Sequence, residues 1–336
     1  MLMVVIRHFG VYGGFNFGYF ALDFLFVVSG YLIGQILLNE LLTPQPEDLS
    51  LKAVKKFMIR RWFRILPLYY TAILVRFMFD HHIGFNTLYY VFFLQNHFYG
   101  ITFFPESWTL VIDEWFYLAS PLILYFFLRY GSRKRLNILL YLIGIVIFIN
   151  VMRLVFVMYT DRPFAGIVGN VPMRQDTLFL GVIMALVKVL FPEYFSKFNS
   201  KLVSLSAFFL ILVYIAVMYV IREPVDRINQ FLWTRTIAFS LLSFLVAFTL
   251  PYMENSVKKF TSPSTTWLNP IVIWGSKLSY AMYLFHALVF HEIERFHLPN
   301  YPAKFTTAFI LTLLVCYIFY NLVEKRFLIM REKHFK

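Results

Sequence analysis

The sequence predicts an all-α integral membrane protein, a polytopic helical bundle of about ten transmembrane helices with one short re-entrant or interfacial segment. Of its 336 residues, 60% are hydrophobic, and apolar stretches of bilayer length recur along the whole chain. A soluble domain could not bury that many apolar side chains in one core. The stretches are rich in Leu, Ile, Phe and Val and lack the alternation typical of outer-membrane barrel strands, which favours helices.

Apolar runs and breaker residues predict the individual elements in chain order. The predicted spans are 1–12, 18–38, 63–80, 108–128, 136–157, 174–191, 202–221, 230–252, 270–292 and 303–324. Residues 87–98 are apolar but too short to cross a bilayer comfortably, so we expect a re-entrant or interfacial segment there. We expect residues 1–336 to form a single membrane domain.

The basic residues predict that both termini are cytoplasmic. Most of the 31 Lys and Arg residues fall in the predicted cytoplasmic segments 39–64, 129–135, 188–201, 253–269 and 325–336, as the positive-inside rule requires. The net charge of +13 therefore indicates basic loops rather than nucleic-acid binding.

The sequence carries no signature of a metal site. Cys316 is the only cysteine, which excludes an internal disulfide bond and a thiolate cluster. No histidine or carboxylate group shows metal-ligand spacing. We expect no metal cofactor.

His8 and Asp23 form the first candidate constellation. An ionisable side chain within an apolar membrane segment is costly and therefore a candidate functional residue. Gly10, Gly13 and Gly14 separate the two residues, and glycines let helices approach closely enough for the carboxylate to orient the imidazole as a general base. The alternative is a histidine at a helix end facing water or headgroups, with Asp23 capping a neighbouring helix.

A stripe of basic residues forms the second constellation. Lys52, Lys56, Arg60 and Arg64 recur every four residues, with Arg61 beside them, which on a helix lines one face. Such a face suits the phosphates of a nucleotide-bearing cofactor, because guanidinium groups offer paired donors. The alternative is an anchor on acidic lipid headgroups.

The third constellation is the segment Ser107 to Pro121, SWTLVIDEWFYLASP. Ser107 is a candidate N-cap and Trp108 a candidate interface anchor. Asp113 and Glu114 are adjacent intramembrane acids that point in different directions on a helix, so at most one can face a given partner. A structural salt bridge with Arg61, Arg64 or Arg76 competes with a functional role.

Three further residues give weaker signals. Arg174 and Asp176 open a predicted span, where they could pair with each other or present a polar lip to substrate. His286 lies in the predicted span 270–292, about two and a half turns from Lys277.

Six motifs, in this order, resemble the membrane-bound acyltransferase 3 family: GYFALDFLFVVSGYLI, FMIRRWFRILPLYY, SWTLVIDEWFYLASP, MRQDTLFLGVIMA, LSYAMYLFHALV and NLVEKRF. The resemblance covers essentially the whole chain. It implies transfer of an acyl group, usually acetyl from cytoplasmic acetyl-CoA, to a carbohydrate or glycolipid hydroxyl at a bacterial inner membrane.

The resemblance also implies roles for individual residues. His8 occupies the place of the family's catalytic histidine, and Arg61 and Arg64 match its arginine pair. Ser107, Trp108 and Glu114 match motif positions associated with function. His286 matches a histidine of the penultimate helix.

Together these observations predict a mechanism. His8, oriented by Asp23, acts as general base on a sugar hydroxyl or relays the acyl group, while Lys56, Arg60, Arg61 and Arg64 hold the phosphates of the donor. Glu114 positions the acceptor or balances the arginines. Only seven residues precede His8, so the family's basic partner upstream is absent and we expect the first helix to be truncated.

A transporter or flippase for a glycolipid or acylated glycan is the competing hypothesis. It predicts inverted repeats with broken helices in corresponding positions of both halves. The Gly and Pro interruptions in this sequence do not correspond in that way.

Overall fold

The computed structural model describes residues 17–42, 49–79, 87–97, 103–222, 227–260, 269–296 and 301–334, and these residues form helices and loops without a strand. The all-α prediction is therefore confirmed for this part of the chain. His8 lies outside it.

The described helices are numbered here in chain order. They are α1 (Phe17–Leu42), α2 (Leu51–Phe79), α3 (Leu88–Val91), α4 (Trp108–Tyr130), α5 (Arg135–Thr160), α6 (Phe164–Val168), α7 (Gln175–Leu190), α8 (Pro192–Phe198), α9 (Lys201–Arg222), α10 (Arg227–Gln230), α11 (Leu232–Arg235), α12 (Ala238–Phe260), α13 (Asn269–Glu294), α14 (Tyr301–Phe319) and α15 (Lys325–His334). Short 3-10 turns cover Gln95–His97, Pro105–Ser107 and Pro172–Arg174, and a π-turn, Tyr320–Glu324, joins α14 to α15.

Six helical segments among the described residues are long and apolar enough to cross a membrane, or seven if a bent pair counts as one span. The bent pair is α7 with its preceding turn and α8, which meet at an angle of 117°. The predicted count of about ten is not confirmed. Helices α12 and α13 have bilayer length, but they are not among the six because each contains several polar and charged residues.

The described residues belong to two compact units, and the division falls within α1, α2 and α4. The first unit contains most of α2, the loop up to Trp108, and α13 to α15. The second contains most of α1 and everything from Thr109 to Phe260. The prediction of a single domain stays a prediction.

In the second unit, α1 and α7 pack with their backbones in contact. A Cβ atom at Gly30 would collide with the carbonyl oxygen of Leu178, and one at Gly181 would collide with that of Val27. Any side chain at either position would push the helices apart, so both positions require glycine. Helix α7 also packs against α5 and α12, and most of its residues are buried.

Helices α5 and α9 carry the apolar surface of the second unit. In the most apolar 18-residue stretch of each helix, only 22% is buried in α5 and 17% in α9. Large apolar side chains such as Phe148 and Phe209 are about two-thirds exposed. In a bilayer, these faces contact lipid tails.

In the first unit, α13 packs against α14 and is tied to α2. The Phe285 and Phe319 rings stack with their centroids 4.5 Å apart. The Tyr280 hydroxyl donates a hydrogen bond of 2.9 Å to the carbonyl oxygen of Ile65 on α2. Cys316 is buried on α14.

The segment predicted to be re-entrant or interfacial contains only the four-residue helix α3 and a 3-10 turn. The Tyr69 and Tyr70 hydroxyls donate hydrogen bonds of 2.9 and 3.1 Å to the carbonyls of Tyr90 and Val91. Phe93 has a φ of 56°, and its ring stacks on that of Tyr69 at 4.7 Å. Helix α2 therefore fixes a segment whose one helix is too short to cross a bilayer.

Candidate functional site

Asp23, the predicted partner of His8, forms a buried ion pair in the second unit. Its carboxylate accepts a hydrogen bond from the Arg174 guanidinium, and the two residues are only 4% and 2% exposed. Arg174 ends the 3-10 turn directly before α7. His8 lies outside the described residues, so its orientation by Asp23 stays a prediction.

A second buried ion pair joins Arg153 of α5 to Asp176 of α7. Neither side chain is exposed. The Asp176 carboxylate also accepts from the Ser240 hydroxyl, and the Arg153 guanidinium donates to the carbonyls of Met173 and Thr236. Buried charges persist when they are paired and hydrogen-bonded in this way.

The two guanidinium groups share one aromatic ring. The Cζ atom of Arg174 lies 4.2 Å from the Phe239 ring centroid, and that of Arg153 lies 5.2 Å from it. Arg174 and Asp176 each form an ion pair with a residue of a different helix, and their charges also interact with each other electrostatically. The Arg174 Nε and Nη1 atoms are buried without a hydrogen-bond partner among the described residues.

Sequence reasoning did not single out Arg153. The available signal was its position as the only charged residue of the otherwise apolar stretch 136–160. A lone arginine there needs an internal partner, and the structure supplies Asp176.

The acids of α4 lie in the second unit. Glu114 is 6% exposed, whereas Asp113 is half-buried, as expected for adjacent residues on different sides of a helix. Arg76, one predicted salt-bridge partner of these acids, pairs with Glu106 at 3.0 Å in the first unit.

Ser107 and Trp108 end the loop that precedes α4. The Ser107 side chain is fully buried, donates to the Phe104 carbonyl at 2.7 Å and accepts from Gln95 Nε2 at 3.0 Å. Asn96 Nδ2 donates to the Trp108 carbonyl at 2.8 Å. These bonds fasten the segment 87–97 to the start of α4.

His286 is fully buried on α13 in the first unit. Its Nδ1 atom lies 2.9 Å from the carbonyl oxygens of Met282 and Tyr283 on its own helix. Because both neighbours are acceptors, Nδ1 carries the proton and donates it. Lys277, on the same helix, is exposed, with its Nζ atom 4.9 Å from the Trp274 ring.

The basic stripe lies on α2, which is one continuous helix with Pro67 inside it. Lys52, Lys56, Arg60 and Arg64 are all exposed. Arg61 is half-buried, with its guanidinium 5.9 Å from the Phe57 ring centroid.

Helix α15 lies beside the stripe in the first unit. The Phe327 ring is 6.4 Å from that of Phe63, and the Arg331 guanidinium interacts electrostatically with those of Arg60 and Arg64. Sequence reasoning did not select Arg331, because an exposed basic tail looks like an ordinary cytoplasmic terminus.

No group of three or more His, Cys, Asp or Glu side chains among the described residues could hold a metal ion. The second unit thus contains two buried ion pairs, and the first unit contains the exposed basic residues Lys56, Arg60 and Arg64 of α2.

Comparison with known proteins identifies the family. The sequence profile described as "Acyltransferase domain" matches residues 1–321. The chain belongs to the acyltransferase 3 family. Among the described residues this domain is built from apolar helices, and membership of the family favours an enzyme over the competing transporter hypothesis.

Two of the relatives that the chain matches come from Staphylococcus aureus. "Putative O-acetyltransferase SACOL0978" of strain COL is 26% identical over an aligned length of 315, and the alignment covers 84% of this chain and 48% of the relative. "O-acetyltransferase OatA" of strain NCTC 8325 is 25% identical over an aligned length of 346, and the alignment covers 95% of this chain and 53% of the relative. The chain thus spans about half the length of the curated relatives it matches. No solved structure matches it.

Proposed function

We propose that this acyltransferase is an O-acetyltransferase that moves an acetyl group from acetyl-CoA to a hydroxyl group of a cell-envelope or secreted carbohydrate or glycolipid. We place it in the bacterial inner membrane with both termini in the cytoplasm. Family membership and the names of the two relatives support O-acetyl transfer, and the basic residues in the predicted cytoplasmic segments support the orientation.

The observation that carries the proposal is the contrast between the buried and the exposed arginines. Arg153, Arg174 and Arg76 each pair with a carboxylate. Arg60 and Arg64 instead face outward on α2. A row of exposed guanidinium and ammonium groups every four residues matches a ligand with several phosphates, because each guanidinium can donate two parallel hydrogen bonds to one phosphate.

The chemistry that we propose needs one base. The acceptor hydroxyl oxygen attacks the thioester carbonyl carbon of the donor while His8 takes the hydroxyl proton. The C–S bond then breaks, the acetyl group stays on the acceptor oxygen as an ester, and the CoA sulfur leaves and receives the proton from His8. Asp23 would hold the imidazole in orientation, and the buried carboxylate of Glu114 would position the acceptor.

Acetyl transfer by membranes tests the role of His8. Membranes from cells that express the chain are given acetyl-CoA labelled in the acetyl group, and label in the envelope glycan is measured. His8→Ala should lower transfer at least 100-fold, since a general base contributes about 10²–10⁴-fold. His291→Ala, which removes an exposed histidine at the end of α13, is the matched control and should transfer normally. Wild-type transfer by His8→Ala would refute the assignment.

Binding of acetyl-CoA tests the donor and separates the enzyme from a transporter. The folded chain should bind acetyl-CoA saturably, and binding should weaken with salt because surface charges are screened. Arg61→Ala should weaken it further. If the folded wild-type protein binds no acetyl-CoA, the donor proposal fails.

A further inference from the structure

The π-turn Tyr320–Glu324 and helix α15 are held beside the basic stripe of α2. Tyr320 packs against Trp274 of α13, with 6.3 Å between ring centroids. The Phe327 and Phe63 rings then join α15 to α2. All of these residues belong to the first unit. The end of the described chain is therefore docked on the helix that carries the predicted donor site.

This docking brings three guanidinium groups together. The Arg331 guanidinium interacts with those of Arg60 and Arg64. Arg331 forms an ion pair with its sequence neighbour Glu332 at 3.8 Å, and the Glu332 side chain is 68% exposed. Like charges on adjacent helices repel each other, so the arrangement is unfavourable unless an anion lies among them.

One buried carboxylate faces this cluster. Glu324, the last residue of the π-turn, is 4% exposed and interacts electrostatically with Arg64. A π-turn inserts an extra residue into a helix and is often found at functional sites. With Glu332, two carboxyl groups stand against three guanidinium groups, so the cluster keeps an excess of positive charge.

Arg331 also keeps donors available for a ligand. Its Nε atom is buried and has no hydrogen-bond partner among the described residues, while its side chain remains 22% exposed. A guanidinium presents five N–H donors in a fixed fork. Such a side chain, half-covered and next to two exposed arginines, suits a doubly or triply charged phosphate.

We propose that Arg331 of α15, together with Arg60 and Arg64 of α2, forms a binding site for phosphoryl groups. The site extends the proposed donor site, and its assignment to the donor rests on the proposed function. The phosphates of acetyl-CoA and the phosphate of an anionic lipid headgroup offer the same chemistry. The experiment therefore distinguishes these two sources.

The test compares Arg331→Gln with Lys333→Gln. Both variants remove one positive charge from α15, and Lys333 is exposed near its end. The full chain is placed in nanodiscs of phosphatidylcholine alone, and acetyl-CoA binding is measured by titration at several salt concentrations. Arg331→Gln should weaken binding about tenfold and flatten its salt dependence, while Lys333→Gln should change it less than twofold.

A second arm measures lipid. The same variants are purified from membranes, and the phosphatidylglycerol that each retains is quantified. Loss of retained lipid from Arg331→Gln alone, with unchanged acetyl-CoA binding, supports the phosphate site and assigns it to a headgroup.

If Arg331→Gln matches Lys333→Gln in both arms, the inference is wrong. If the wild-type protein is folded but binds no acetyl-CoA, the proposed function fails, and the lipid arm still tests the phosphate site.

Discussion

Removal of the charge at Asp176 should destabilise the second unit far more than removal of a comparable surface charge. Asn has nearly the same size and shape as Asp, so Asp176→Asn changes the charge with little change in packing. It leaves the Arg153 guanidinium, which is not exposed, without its counter-charge. It also alters the carboxylate that accepts the hydrogen bond of the Ser240 hydroxyl. Breaking a buried ion pair in this way costs about 3–5 kcal/mol.

The chain offers a matched control in the same unit. Asp161 pairs with Arg235 at 2.7 Å, but the Asp161 side chain is 90% exposed. Asp161→Asn should therefore cost less than about 1 kcal/mol, as is typical of surface pairs. The two substitutions are chemically identical, so the difference between them isolates the effect of burial.

Reversible unfolding in mixed detergent micelles, followed by circular dichroism, measures these free energies by linear extrapolation. Arg153→Met and the double variant Arg153→Met/Asp176→Asn complete a double-mutant cycle. The free energy of unfolding should fall less in the double variant than the sum of the two single decreases, with a coupling energy of about 2 kcal/mol. The reasoning on the buried pair is refuted by either of two results. The first is a free energy of unfolding for Asp176→Asn within about 1 kcal/mol of the wild-type value. The second is a loss in the double variant equal to the sum of the two single losses.

Two further predictions concern packing and the donor site. Gly181→Ala should lower the free energy of unfolding by about 1–3 kcal/mol or more, because the added methyl group meets the carbonyl oxygen of Val27. Gly144→Ala, with nothing within 4 Å of the new Cβ, should stabilise α5 by about 0.5–1 kcal/mol. Equal effects of the two substitutions on unfolding would contradict the close contact. Glu324→Gln and Arg64→Gln should each change the free energy of acetyl-CoA binding, and the effect of the double variant should differ from the sum of the two by about 0.5–3 kcal/mol. Additive effects would show that Glu324 does not position Arg64.

Local sequence patterns predicted the helices well. Each predicted span from 18–38 onward overlaps a described helix, because a run of apolar residues long enough to cross a bilayer specifies a helix without reference to distant residues. Helix α2 also continues through Pro67, which lies inside the predicted span 63–80. Helices in membranes tolerate proline, and here the Thr71 hydroxyl donates a hydrogen bond of 2.7 Å to the Pro67 carbonyl.

The polar contacts could not be predicted in the same way. Asp23 and Arg174 are 151 residues apart, and no local pattern pairs them. The sequence identified both as costly charges but assigned Asp23 to His8 and considered Arg174 with Asp176. Which charges meet depends on how the helices are arranged, and the periodicity of a single helix carries no information about its neighbours.

The glycine contact between α1 and α7 fixes more than the distance between them. Asp23 lies seven residues before Gly30, and Arg174 lies seven residues before Gly181, so the ion pair sits two turns from the glycine contact on both helices. Farther along, Lys188 donates to Gln35 at 2.6 Å. The helices therefore run parallel with a nearly constant offset in residue number. A slide of one turn, about 5.4 Å, would move both glycines out of the contact and separate the ion pair, so these contacts oppose sliding of α1 along α7.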